Sequence, residues 1–379
     1  MNYIPLSRCC IVGKEKEYLF KALSTGNIQG GGEFTSKCEK LLEKELDVCR
    51  VLLTNSCTSA LEISALILNI VPYDEVIVPS FTFVSTANAY MLFGAKPVFC
   101  DIRSDTLNLD ENKLGKLITN RVKAIIPVHY AGIGCEMDEI SNLSNIHNIP
   151  IVEDNAHGLF GKYKNQYLGT FGKLSAISFD GQKNITCGEG GAIIINDENY
   201  IEFAEVIRDK GTNRAAFLRN EIKKYSWIYR GSNYYPSELQ SSYLLAQLEN
   251  KDEIQKKRST IWNNYHNDLK EWADENQIIL PHVPDYCDNS YHLYYLIMPS
   301  KKDRDDLIRH LKKYGVSATF HYIPLHITPV GKKFGGKKGD CPVSENISNR
   351  LVRVPLFYDL NPSDLMHIIN IIKEFKPNI

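Results

Sequence analysis

The chain has 379 residues, 43% hydrophobic and 23% charged, a balance that excludes disordered and fibrous architectures. Lys and Arg number 44 against 45 Asp and Glu, for a net charge of −1, and no segment carries the basic excess by which nucleic-acid binders neutralise phosphates. The longest apolar stretches, such as Ala60 to Val71, fall short of the roughly 20 residues that span a bilayer. The first residues, MNYIPLSRCCIVGKEKEY, have no apolar core or small-residue cleavage site of a secretory signal. These readings predict a cytoplasmic protein with neither nucleic acid nor membrane as a partner. The ten cysteines include no pair at the two-residue spacing of a zinc or redox motif, so reduced thiols and no metal site are expected.

In chain order, Gly26 to Gly32 (GNIQGGG) is a glycine-rich loop, and Glu33 to Glu45 has the spacing of a helix. Val51 to Thr54 reads as a buried strand and Cys57 to Leu68 as an apolar helix. Four short apolar runs follow, Glu75–Pro79, Lys96–Asp101, Lys123–Val128 and Pro150–Asp154. Between them, Ser85–Phe93, Asp110–Leu117 and Met137–His147 are long enough for helices. Fully apolar strands alternating with helices predict βαβ units and a mostly parallel sheet, which Ala176–Phe179 and Gly191–Ile195 extend. Near Glu249 the texture changes. Asn250–Leu269 is a charged amphipathic helix. Tyr291–Met298 and Ala318–His321 are strand-like, separated by the helical Lys302–Tyr314, and Asn361-Pro362 starts a last helix over Ser363–Phe375. The expected organisation is a large domain over residues 1–249 and a connecting helix with a smaller α+β domain over 250–379.

Ligands of open parallel sheets bind beyond the carboxyl ends of the strands. The polar residues that directly follow the predicted strands are Ser56-Cys57-Thr58, Ser80 to Phe83, His129-Tyr130, Asp154 to His157, and Ser178-Phe179 with Lys183 beyond. Thr54 to Ser59 opens a helix whose amides can hold a phosphate with the hydroxyls of Thr58 and Ser178, although simple N-capping explains the same residues. It is not a P-loop, and Gly188 to Gly191 precedes a strand, where a dinucleotide fingerprint follows one. Asp154 is either a strand-end cap or the carboxylate that a pyridine electron sink requires. Lys183, between an apolar strand and a glycine turn, is placed as an inward amine able to form a Schiff base.

Together, Ser178-Phe179, Lys183-Asn184 and Gly188-Glu189-Gly190-Gly191 resemble the lysine segment of the DegT/StrS nucleotide-sugar aminotransferases, a branch of the fold type I pyridoxal-phosphate enzymes. Further matching segments run over nearly the whole chain: Gly30-Gly31, Pro79 to Thr86, Pro127 to Gly132, Val152 to Asp154, Gly231 to Gln240 and Phe320 to His326. The resemblance implies an aspartate-aminotransferase-like α/β fold and a PLP-dependent transaminase. Lys183 would carry pyridoxal 5′-phosphate covalently and move protons. Asp154 would pair with the pyridine nitrogen, Phe83 would stack on the ring, and His157 would sit near the phenolic oxygen. Cys57, Thr58 and Ser178 would bind the phosphate, with Asn233 of a second subunit, so that a homodimer shares its active sites. His321, Tyr322 and His326 would lie near the sugar nucleotide.

Arg208 to Arg214 and Tyr225 to Trp227 make the chain most similar to family members that aminate dTDP-4-keto-6-deoxyglucose at C4. L-Glutamate would be the donor, dTDP-4-amino-4,6-dideoxygalactose the product, and surface polysaccharide the destination. Rival readings are the gluco epimer, a C3 aminotransferase, and a non-catalytic binding protein on the same fold. A related dehydratase would have His in place of Lys183. Several positions depart from the family pattern: Cys57 replaces a usual Gly, Asp180-Gly181-Gln182 a usual His-x-Thr, His157 a frequent Gln, and Tyr235 a usual Arg. The loop GKKFGGKKG (331–339) is either a solvated loop or a diphosphate contact, and His321 and His326 are not spaced as metal ligands.

Overall fold

A computed structural model describes residues 3–378. The apolar runs of the first half become β1 (Arg50–Thr54), β2 (Glu75–Pro79), β3 (Lys96–Cys100), β4 (Val122–Ile125) and β5 (Val152–Asp154). A short pair, β6 (Lys162–Tyr163) and β7 (Gln166–Tyr167), precedes β8 (Leu174–Ser178) and β9 (Gly191–Ile195). Hydrogen bonds order these strands β1-β9-β8-β5 and β3-β2-β4. Bridges Ile125–Ile151 and Val128–Asp154 join the four-stranded and three-stranded pieces into one seven-stranded sheet. Its neighbours are parallel except around β9, which is antiparallel to both β1 and β8. The expected extension by Gly191–Ile195 is therefore present but reversed. A parallel return needs a crossover of roughly a dozen residues or more, usually helical, and the loop from Phe179 to Gly190 contains no helix.

The sheet is covered on both faces, which is why its strands show no polar alternation. Successive side chains point to opposite faces. Leu52, Ile193 and Ile195 pack with Ala60, Ile63 and Ile207 on one side, while Val51, Leu53, Ala192 and Ile194 pack with Phe34, Leu42 and Leu248 on the other. The helix Cys57–Ile67 is capped by Ser56, whose Oγ accepts from the Ser59 amide at 3.1 Å.

After β10 (Cys287–Asp288), which pairs with β6, the later part of the chain forms a two-stranded sheet, β11 (Tyr294–Ile297) against β12 (Leu351–Val354). The helix Lys251–Glu275 and the helices Lys301–Lys313 and Pro362–Glu374 enclose a cluster that includes Trp262, Tyr265, Tyr294, Leu307, Val352 and Ile368. Ile4 joins this cluster from the other end of the chain through a bridge to Val316.

Three elements differ from the sequence reading. Asp110–Leu117 yields only the single turn Glu111–Leu114. The connecting helix runs on to Glu275. Ala318–His321 forms no strand: Thr319 makes an isolated bridge to Arg353, and the next residues turn into a cavity at the sheet's edge. The partner of β11 is instead Leu351–Val354, whose apolar run is interrupted by an arginine. No helix among the described residues is long and apolar enough to cross a membrane.

Candidate active site

A cavity of ≈ 730 Å³ opens where β1, β5 and β8 end and residues 320–323 close in. It gathers nine of the residues singled out from the sequence: Cys57, Thr58, Phe83, Asp154, His157, Ser178, Lys183, His321 and Tyr322. All but His321 and Tyr322 arrive from a strand end or the segment directly after it.

Asp154 terminates β5 and is 5% exposed. Its carboxylate accepts from Thr86 Oγ1 at 2.7 Å and from the Ala156 amide at 3.2 Å, and Thr86 Oγ1 is itself 2.9 Å from Thr82 Oγ1. Burial raises the Asp154 pKa, opposed by the Thr86 hydrogen bond and by the charge of Lys183. The carboxylate is thus short of positive charge, and a cationic N–H facing it would be strongly held. Lys183 lies in the loop between β8 and β9 and makes no salt bridge among the described residues. Burial lowers its pKa, while Cys57, Asp180 and Asp154 pull it up. A partly desolvated amine of this kind is available as a nucleophile toward a carbonyl.

The anion end is built by the first turn of Cys57–Ile67. Its cap residue Ser56 uses its own hydroxyl on the Ser59 amide, which leaves Thr58 and Ser178 to face the cavity. β9 presses against this turn so closely that a Cβ on Gly191 would stand 2.4 Å from the Cys57 nitrogen. Only glycine allows that approach. Thr58 Oγ1 donates to Ser85 Oγ at 2.9 Å. The Cys57 thiol, which replaces a glycine usual in the family, is pushed well up by burial and by Asp154 and stays protonated. Phe83, 57% exposed, stands at the rim with its ring 6.3 Å from that of Tyr322.

His157 stacks on His292 with ring centroids 4.2 Å apart, and its buried Nδ1 has no hydrogen-bond partner. His292 Nδ1 is 3.1 Å from Asn184 Oδ1, next in sequence to Lys183. His321 sits between Tyr130 Oη and Arg353 Nη1, each 3.1 Å away. Arginine can only donate, so Nε2 accepts and the proton is on Nδ1. Burial holds all three imidazoles well below the usual range.

Two predicted residues fall elsewhere. His326 is fully buried and away from the cavity, bracing Ser80 Oγ at 2.6 Å and Glu345 Oε1 at 3.0 Å. Asn233 does not line the cavity of its own chain; its carbonyl accepts from Asn55 at 3.4 Å. The 331–339 segment also lies outside the lining and begins within the short helix Pro329–Lys333. Conversely, the sequence reading missed Thr86, His292 and Arg353. Thr86 was within reach, four residues after Thr82 in the strand-end motif. Arg353, alone in the apolar run Leu351–Val354, was a visible anomaly. His292 carried no local signal.

Comparison with known proteins fits this geometry. The model of the DegT/DnrJ/EryC1/StrS aminotransferase family matches residues 9–373. The chain belongs to that family. The spore coat polysaccharide biosynthesis protein SpsC of Bacillus subtilis is 33% identical over 382 residues, covering 98% of this chain and 97% of its own. GDP-perosamine synthase of Escherichia coli O157:H7 is 30% identical over 378 residues, covering 99% of each. Among solved structures, Streptococcus pneumoniae Spr1654 in its PLP form superposes with a TM-score of 0.90 at 26% identity over 98% of each chain. Helicobacter pylori PseC, an aminotransferase of pseudoaminic acid biosynthesis, gives a TM-score of 0.90 at 27% identity over 98% of this chain and 99% of its own.

Membership makes this DegT/DnrJ/EryC1/StrS protein a sugar aminotransferase with the fold of type I pyridoxal-phosphate enzymes, and pyridoxal 5′-phosphate its cofactor. The residues present fit that group. A buried carboxylate lacking a cation, an amine without a salt bridge, an unpartnered imidazole nitrogen and a helix N-terminus with two hydroxyls converge on one cavity. When bound, the cofactor supplies the electron sink that lets a carbon next to nitrogen lose a proton.

Proposed function

We propose that the enzyme transfers the amino group of L-glutamate to the C4 keto carbon of dTDP-4-keto-6-deoxyglucose, giving dTDP-4-amino-4,6-dideoxygalactose for surface polysaccharide. The reading places it in the cytoplasm as a homodimer, with Asn233 reaching the phosphate end of the partner's site. Residues 1–249 would form the cofactor-binding domain and 250–379 the smaller domain. The observation that carries it is the convergence of Lys183 and Asp154 on a cavity large enough for a sugar beside a cofactor ring. Similarity to SpsC and to GDP-perosamine synthase supports a nucleotide-linked sugar as acceptor.

In this mechanism the chain's own groups have separable tasks. Thr58, Ser178 and the helix amides at Cys57 and Thr58 hold the phosphate. Thr86 fixes the Asp154 carboxylate, which holds the proton on the ring nitrogen. Lys183 Nζ takes the proton from the α-carbon of the donor and later delivers one to the sugar carbon, acting as base and then as acid. Its burial helps both steps, because a desolvated amine loses its proton more readily than a solvated one. Phe83, in the cavity lining, would stack on one face of the cofactor ring.

The test is incubation of the purified enzyme with pyridoxal phosphate, L-glutamate and dTDP-4-keto-6-deoxyglucose, with the product identified by proton NMR. An axial amine at C4 is expected, and Lys183→Ala should give no product. An equatorial amine would reverse the epimer. Absence of amination, with glutamate still bleaching the visible cofactor band, would move the substrate to a 3-keto sugar or another nucleotide.

A further inference from the structure

His292 lines the cavity but comes from no strand end of the large sheet; it precedes β11 and is 4% exposed. The chain is bent to bring it there. Tyr291 holds φ at 56°, in the left-handed region that a residue with a Cβ normally avoids. Arg258 of the helix Lys251–Glu275 holds the bend, donating to the Tyr291 carbonyl at 3.1 Å and to the His292 carbonyl at 2.6 Å. Asn289 Oδ1 helps by accepting from the Tyr291 amide at 2.8 Å.

The ring is fixed in turn. Asn184 Nδ2 donates to the Ser290 carbonyl at 2.6 Å and to Gln255 Oε1 at 3.0 Å, which leaves Asn184 Oδ1 as an acceptor. His292 Nδ1, 3.1 Å from that oxygen, therefore carries the proton. One face of the ring lies on His157, with centroids 4.2 Å apart and planes inclined by 28°. The other rings near His157 stand farther off, Tyr130 at 5.9 Å and His321 at 6.2 Å. Ser290 adds a second hold, its Oγ donating to the His157 carbonyl at 2.5 Å. Residues 290–292 thus tie the loop that carries Lys183 to the turn that carries His157.

His157 Nδ1 is sealed from the cavity and has no partner, so Nε2 is the nitrogen left to meet a group there. A buried N–H without an acceptor is costly, which puts the proton on Nε2 as a donor. We propose that His292 is a positioning residue: its ring, turned by Asn184 and packed on His157, holds the His157 imidazole in the plane from which Nε2–H donates to the cofactor's phenolic oxygen. The inference rests on the placement of His157 beside that oxygen and adds what keeps it there.

The test uses the full-length holoenzyme and the visible band of its bound cofactor. A donor to the phenolic oxygen favours the anionic form, so loosening the donor lets the oxygen keep its proton to higher pH. His292→Asn retains a donor for Asn184 and loses the ring. The pH midpoint of the band should rise by about half a unit, an about threefold change in the proton equilibrium. His292→Phe keeps a stacked ring with no flip for Asn184 to set, and should stay within about 0.2 unit of the wild type. Visible circular dichroism per bound cofactor, which reports how firmly its ring is seated, should fall in the first variant and not in the second. Both variants remove the imidazole and leave Lys183, Asp154, Arg353, His321 and Tyr130 in place, so lost titration of His292 cannot produce the difference. His292→Gln replaces the asparagine variant if that protein does not fold. An unmoved midpoint in His292→Asn, or equal shifts in the asparagine and phenylalanine variants, would overturn the proposal. His157→Leu separates the two levels: it should raise the midpoint at least as far, and no change there would show that His157 does not meet the oxygen at all.

Discussion

Thr86 illustrates how much of the site's chemistry sits one residue behind the groups that touch ligand. Among the described residues its hydroxyl is the only side-chain donor to the Asp154 carboxylate, and it works against the burial that favours the neutral acid. Thr86→Val should therefore leave the fold intact, raise the Asp154 pKa further and weaken the hold on the ring nitrogen. A hydrogen bond to a charged group contributes about 1.5–3 kcal/mol, so cofactor affinity should fall at least about tenfold. Fluorescence titration of the cofactor-free protein measures it, and an unchanged affinity would show that Asp154 needs no such support. At this scale the sequence was legible wherever a functional residue follows an apolar strand, as Asp154 and Ser178 do. It was opaque where function depends on a partner distant in the chain. Arg353 and His292 reach the cavity from β12 and from the residues just before β11, two strands that pair across a long stretch of chain. His326 shows the converse: its motif is sound, but a buried bridge between Ser80 and Glu345 occupies both ring nitrogens.

Two motifs that read as separate in the sequence, GNIQGGG and the Tyr235–Gln240 segment, interlock in the structure. Gly30 and Gly32 pass so close to Pro236 and Glu238 that a Cβ on either would collide. Glu238 is 3% exposed and accepts from the amides of Gly32, Phe34 and Thr35 and from the Thr35 hydroxyl, at 2.5 to 3.0 Å. A carboxylate here satisfies the orphan amides at the start of the helix Glu33–Leu46 and faces the positive end of its dipole. Glu238→Ala strands those donors in the interior and should cost about 3 kcal/mol or more. Urea denaturation should show a lower midpoint at unchanged slope; a change under about 0.5 kcal/mol would mean that water replaces the carboxylate. The elements were readable where pattern alone decides, as with β1 to β5 and the helix Cys57–Ile67. The direction of β9 was not, because a strand buried on both faces carries no mark of its orientation.

For the whole molecule, the three imidazoles of the cavity bear on how stability responds to acid. His157, His292 and His321 are all held well below 6.5, chiefly by burial, with Lys183 or Arg353 adding repulsion. The unfolded chain takes up protons below pH 6.5 that the native state refuses, so this stabilisation is complete above that value and declines as pH falls. Each histidine contributes a slope of about 1.4 kcal/mol per pH unit in that range. Asp154, with its raised pKa, has the opposite sign and loses stability as pH rises from the ordinary carboxylate range. Thermal unfolding of the cofactor-free protein between pH 7.5 and 5.5 should show a falling midpoint, with a shallower fall in His292→Asn. Parallel curves for the two proteins would mean that His292 protonates freely in the native state.

The reversal of β9 also orders events during synthesis. β8 and β9 can form a local hairpin, but among the described residues β1 has no sheet neighbour other than β9. Until residues 191–195 are made, the first strand and the helix turn behind it have nothing to register against, although some 140 residues of chain already separate the two. The anion end of the cavity is therefore assembled by one of the last strands of the large sheet to be synthesised. A chain ending before Gly191 would offer β1 no strand to pair with and would lack the backbone that packs against the turn at Ser56 and Cys57.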